Sequence, residues 1–169
     1  MSSYIKDQLN QIRDTLDEWG EENGFSGHVF VVSDIVHMWK QLFDSSQYPK
    51  LLIMYNGEQV RGEFGIAAPL ARVDRRFMVV VSRGRSMNIN PGDALTETNQ
   101  NSPPLFEQVE EVRDICRAMI FDPDWNENPV DYLGVTPFPT ENSGRLIDAY
   151  QIEFSIGSQL HLIVSQPDS

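Results

Sequence analysis

The chain has 169 residues, 40% of them hydrophobic, and carries 13 Lys and Arg against 25 Asp and Glu, a formal net charge of −12. These proportions belong to a folded chain rather than a disordered one, and the length fits a single domain that hides roughly 70% of the surface its unfolded form exposes. The one cysteine, Cys116, excludes an intrachain disulfide and every multi-cysteine zinc or iron–sulfur centre.

No apolar run approaches the ~20 residues of a membrane span, and the start, MSSYIKDQLNQIRD, lacks a basic stretch followed by an apolar one. The expectation is therefore no membrane contact, no secretory leader and a reducing compartment. A charge of −12 repels phosphate unless the basic residues are segregated. They are: residues 61 to 85 hold six of the ten arginines (Arg61, Arg72, Arg75, Arg76, Arg83, Arg85) with only Glu63 and Asp74, a balance of 6 − 2 = +4, leaving −16 elsewhere. Such asymmetry points to docking of something acidic, and the nearest acidic partner is a second copy of the chain. Arg72, Arg75, Arg76, Arg83 and Arg85 are the candidate subunit-interface residues. The plainer alternative is that these arginines keep an exposed strand face soluble and contact nothing.

In chain order, Tyr4, Ile5, Leu9, Ile12, Leu16 and Trp19 recur at helical spacing and predict an amphipathic helix from about Ser3 to Trp19, capped by Ser2 or Ser3 and ended by Gly20 and Gly24. HVFVV is a short β-branched run. Ser33-Asp34 then precedes Ile35, Val36, Met38, Trp39, Leu42 and Phe43, which read as a capped second helix or as a further extended segment. LLIMY (51 to 55) is a compact strand. Asn56-Gly57 after it tolerates two positive φ angles, so EQVRGEF is expected to fold back as a hairpin.

In RRFMVVVSRGR, Met78 and Val80 on one face and Phe77, Val79 and Val81 on the other are all apolar, so this strand needs cover on both sides: helices on one, a loop or a neighbouring subunit on the other. Residues 86 to 104 form a long polar loop without periodicity, of the kind that is functional or disordered. Ser102-Pro103 is a helix-start signal, and Leu105, Val109, Val112, Cys116 and Met119 form one stripe before Asp122-Pro123 stops the helix. VDYLGVTPFP is an irregular edge strand because prolines cannot donate to a ladder. From Ala149 to Ile156, apolar and polar residues alternate, and Gly157-Ser158 suggests a turn into a partner strand carrying Leu160, Leu162 and Val164. These elements make one α+β domain over 1–169, a small antiparallel or mixed sheet with helices packed on one face.

Chemistry-bearing motifs are sparse. His28, His37 and His161 are too scattered for a helix-borne metal pair. Asp122-x-Asp124-x-Asn126 imitates the start of a calcium loop, but Glu127 replaces the Gly and Leu133 the closing Glu. Cys116 lies on an apolar stripe, where a thiol stays protonated. Gly62 and Gly65 form a lone G-x-x-G with no phosphate-binding sequel, and no two carboxylates must converge, although Asp122, Asp124 and Asp131 could serve a hydrolase. The expectation is no enzyme, no cofactor, no metal and no catalytic residue.

The order of elements resembles the tail-terminator (tail-completion) proteins of long-tailed bacteriophages. The segments that carry the resemblance are the helix DQLNQIRDTLDEW, the arginine-flanked strand RRFMVVVSRG, the long loop, the helix LFEQVEEVRDICRAMIF and the late strand IDAYQIEFSIG. It implies a structural virion protein, assembled in the host cytoplasm as a ring, usually a homo-hexamer. That ring caps the tail tube, ends tail polymerisation and forms the head-docking surface. Its partners would be itself, the tail-tube protein and a head-completion or connector protein, with DNA passing through without specific binding. A head–tail joining protein, or a cellular adaptor or binding module, would share the same pattern.

Overall fold

The computed structural model describes residues 4–43, 49–61, 70–84, 104–121, 130–139 and 147–161. The elements run α1 (Tyr4–Glu22), β1 (Val29–Val32), α2 (Ile35–Phe43), β2 (Lys50–Arg61), β3 (Leu70–Gly84), α3 (Leu105–Ala118), β4 (Val130–Pro137) and β5 (Ile147–His161). All five strands form one sheet in the order β1-β2-β3-β5-β4, with β1 parallel to β2 and every other pair antiparallel. The chain is thus a single α+β unit with a mixed sheet, as its patterning predicts.

Helix α1 buries Ile12 and Leu16, and its end follows from three residues. Gly24 takes φ +84°, which lets the Phe25 amide reach back to the Gly20 carbonyl at 2.8 Å, and the Phe25 ring packs on Trp19 with centroids 5.3 Å apart. This backward bond with its apolar clasp satisfies carbonyls that the helix end would otherwise leave open. Gly20 itself is inside the helix, so the chain stays helical three residues beyond Trp19.

Ser33-Asp34 does open a helix. Asp34 Oδ1 accepts from the His37 amide at 2.8 Å and its carbonyl accepts from Met38 at 2.9 Å, which makes Asp34 the N-cap of α2. At the other end, the buried Lys50 ammonium donates to the Gln41 carbonyl at 2.6 Å, placing a cation where the helix dipole is negative. For α3 the N-cap is Pro104, without a side-chain cap; Ser102-Pro103 lies outside the described residues.

The sheet is buried on both faces. On one, Leu51, Ile53, Phe77, Val79, Val81, Ile152 and Phe154 pack with α1 and α3 through Ile12, Leu16, Val109, Val112 and Cys116. On the other, Leu52, Met54, Met78 and Val80 pack with Met38 and Leu42 of α2 and with Phe138 and Ile147. The helices are therefore not confined to one face. The two-sided apolar alternation of β2 and β3 demands a second cover, and α2 of the same chain provides it, where a loop or a neighbouring subunit was the expectation.

Two turn signals also resolve differently. Asn56-Gly57 is a β-bulge inside a continuous β2: Tyr55 pairs with Phe77 and Glu58 with Arg75, so two residues oppose one, with Gly57 at φ +87°. Gly157-Ser158 lies within β5, which pairs with β3 without a register shift from Gly84↔Ile147 to Leu70↔His161. Leu160 consequently extends β5 rather than starting a partner strand; residues 162–169 lie outside the described residues. β4 is an edge strand as its prolines require, and its own register shift expels Leu133 between Tyr132 and Gly134.

Candidate functional site

The arginine-rich segment is the central strand β3, and strand alternation divides its charges. Arg75 and Arg83 share a face with Phe77, Val79 and Val81, under α1 and α3; Arg76 occupies the α2 side of the sheet. Arg75 is only 4% exposed, and its Nε lies 3.7 Å from Glu58 Oε2, ion-pair distance rather than a hydrogen bond. The Tyr55 hydroxyl reaches the same carboxylate at 3.5 Å. Burial, reinforced by the Glu58 charge, holds that phenol above its ordinary pKa.

Arg83 is 9% exposed and stands opposite Asp148 in the ladder. Loss of hydration lowers its pKa, against the attraction of Asp148. Arg76 is exposed and donates from Nη2 to Gln59 Oε1 at 2.8 Å. Arg72 lies opposite Arg61 of β2 and Gln159 of β5, and Arg85 falls outside the described residues. The segment that reads as one basic patch thus folds into two buried arginines and an arginine-bearing end of the β2–β3–β5 ribbon. Arg76 stands near the middle of β3, exposed there to a partner.

The opposite sign collects on the helix layer. α1 carries six acids (Asp7, Asp14, Asp17, Glu18, Glu21, Glu22) and two bases (Lys6, Arg13), while α3 carries four acids (Glu107, Glu110, Glu111, Asp114) and two bases (Arg113, Arg117), giving 4 − 10 = −6. Gln11 Nε2 donates to the Ile120 carbonyl at 2.7 Å and Trp19 Nε1 to Glu111 Oε2 at 3.1 Å, so the two helices lie side by side with opposed directions. The acids outnumber the bases on both helices, and Arg13 and Arg113 are ion-paired with Asp14 and Asp114.

Ser33, Asp34 and His37 converge without any signal of chemistry in the sequence. Ser33 Oγ donates to Asp34 Oδ2 at 2.8 Å, and the His37 ring Nδ1 accepts from the Ser33 amide at 3.3 Å. A nucleophile–base–acid relay needs the carboxylate on the imidazole; here it holds the His37 backbone amide and the serine. The trio is a helix cap, and these bonds hold the Asp34 carboxyl below its usual pKa, the His37 amide first and the Ser33 hydroxyl second.

Cys116 is buried, and loss of hydration pushes its thiol up to about 12. His28 Nδ1 lies 2.9 Å from the Pro49 carbonyl. Among the described residues no three His, Cys, Asp or Glu side chains gather as metal ligands, and no helix is long and apolar enough to cross a membrane. Asp122, Asp124 and Asn126 lie outside the described residues, as does the 86–104 loop except Pro104.

Large apolar side chains left in solvent form a further feature that composition does not disclose. Ile35 and Val36 open α2; Phe106 stands in the first turn of α3; Ile120 follows that helix; Tyr132 and Leu133 lie on β4. No protein-family model matches the chain, and no curated protein is significantly similar to it.

Proposed function

We propose that the chain is a structural virion protein that assembles into a ring, caps a phage tail tube, stops its polymerisation and offers the surface to which a filled head docks. The observation that carries this reading is charge polarity within one folded unit: an arginine-bearing end of the central strands and a helix layer of net charge −6. Opposed surfaces on one subunit suit head-to-tail association and contact with further ring-shaped neighbours. Element order supports the same reading, with two helices over a mixed sheet and a long segment between β3 and α3. Six copies would carry 6 × −12 = −72, so DNA crossing the channel is repelled rather than held.

The test is assembly on a polymerising tail tube, followed by negative-stain imaging. The expected result is tubes that stop growing where a ring of the added chain sits on one end. Tubes that elongate unchanged, with no ring attached, would overturn the reading. A ring that binds isolated connectors but leaves tube growth unaffected would instead identify a head–tail joining protein.

A further inference from the structure

The sequence holds two Asn-Gly dipeptides, Asn23-Gly24 and Asn56-Gly57. In such a pair the glycine nitrogen, with no Cβ beside it, can approach and attack the asparagine carboxamide. The two glycines are alike: φ is +84° at Gly24 and +87° at Gly57, and nothing lies within 4 Å of a Cβ built on either. The asparagines differ. Asn23 donates from Nδ2 to the Trp19 carbonyl at 2.7 Å and from its amide to the Gly20 carbonyl at 3.1 Å, so side chain and main chain are both tied into the end of α1. Asn56 is exposed, and its side chain makes no hydrogen bond among the described residues. It also stands where the ladder is weakest. The parallel pairing of β2 with β1 ends at Met54, and on the β3 side Asn56 and Gly57 are the residues passed over between Tyr55↔Phe77 and Glu58↔Arg75. A bulge keeps its extra residue out of the ladder, so the main chain can turn there without breaking a regular pair.

We propose that Asn56 is a site of spontaneous deamidation in the folded protein, and that Asn23, the same dipeptide chemistry, is protected by its place in the helix end. Hydroxide removes the Gly57 amide proton and the nitrogen attacks Asn56 Cγ. The carboxamide nitrogen takes a proton from water and leaves as ammonia, which closes a succinimide ring and regenerates the hydroxide. Water then opens the ring at one carbonyl or the other. One opening gives aspartate; the other gives iso-aspartate, in which the main chain runs through the side-chain carboxyl and gains a methylene. Either product adds one negative charge, taking the formal net charge to −12 − 1 = −13. Arg76 is the β3 residue between Arg75 and Phe77, so the new carboxylate arises opposite this exposed arginine and offsets its charge. None of this depends on the ring reading.

The experiment holds the full wild-type chain at pH 8, folded in buffer and unfolded in guanidinium chloride, and samples both over weeks by peptide mass spectrometry. An isoaspartyl methyltransferase with a labelled methyl donor counts iso-aspartate. In the folded chain the peptide carrying Asn56 should gain about 1 Da and take up methyl label. It should do so at least about fivefold faster than the Asn23 peptide, the factor set by one hydrogen bond that must open before the ring can close. In guanidinium chloride the two rates should converge, because the cap on Asn23 is gone. Asn56→Gln, whose longer side chain closes a disfavoured six-membered ring, should abolish the gain at that position and leave Asn23 as it was. Asn23 converting as fast as Asn56 in the folded chain would overturn the proposal. So would an Asn56 that stays intact when folded but converts when unfolded, or a rate ratio that guanidinium chloride leaves unchanged, which would assign the difference to flanking residues rather than to the fold.

Discussion

The two adjacent arginines of β3 provide the sharpest test of the fold, because strand alternation gives them opposite fates. Arg75→Glu places a carboxylate at a 4% exposed position, 3.7 Å from where Glu58 sits. Breaking a fully buried ion pair costs about 3–5 kcal/mol. Glu58 is 44% exposed, and water screens its half of the pair; a discounted loss is about 2–3 kcal/mol. At about 2–4 °C per kcal/mol for a chain of this size, the melting temperature should fall by about 4–12 °C.

Arg76→Glu removes one exposed hydrogen bond to Gln59. Its cost should stay near about 0.5 kcal/mol, a shift of at most about 2 °C. Differential scanning fluorimetry and urea unfolding measure both, and Arg75→Met, which keeps the aliphatic stem, should fall between them. Equal losses for the two glutamate variants, or a neutral Arg75→Glu, would refute the assignment of faces along β3.

Gly57→Ala should cost about 1–2 kcal/mol in urea unfolding, because an alanine at a left-handed φ is strained. Nothing lies within 4 Å of the added Cβ, so that loss is purely one of backbone. Cys116, its thiol pushed up to about 12, should ignore a thiol reagent at pH 8 in the folded chain and react fully in denaturant. Asp34 has its pKa lowered by the cap, so its contribution is fully present above the ordinary carboxylate value of 3.8 and is lost as pH falls through its lower folded value. Stability measured from pH 5 down to pH 3 should therefore drop less steeply in Asp34→Asn, which retains a capping oxygen.

Among the described residues, apolar spacing in the sequence points to α1, α3, β2, β3 and β5, because it reports which side chains must leave water; it leaves α2 open between a helix and an extended segment and marks β1 only as a β-branched run. It misjudged places where one local signal serves two geometries. Asn56-Gly57 satisfies a positive φ equally in a hairpin turn and in a bulge, and only the pairing of Gln59 with Asp74 decides that β2 continues. Gly157-Ser158 likewise reads as a turn until β3 is long enough to pair with it throughout.

The arginines were legible as charge but not as surface. Six in one segment suggest a patch, yet the period of two sends Arg75 beneath the helices and Arg76 into solvent. Leu133 offered no signal at all: its exposure arises from the register shift between Tyr132 and Gly134, a property of pairing with β5.

Because α2 closes the face over Met78 and Val80, the side of β3 left to a second subunit narrows to the stretch around exposed Arg76. Contacts with partners then fall to the sheet edges, the helix exteriors and the strand ends. Edges point along the hydrogen-bonding direction of a sheet and strand ends point across it, so the two cannot serve one flat contact. If the sheet edges join neighbouring copies, exposed Arg76 near the middle of β3 lies outside that contact and is available to tube or head. Arg76→Glu should then leave the sedimentation of the wild-type assembly unchanged while weakening its attachment to the tail tube, most visibly at low salt, where exposed charges act over the longest range. Loss of self-association in this variant, with unfolding unchanged, would return the arginines to the contact between subunits.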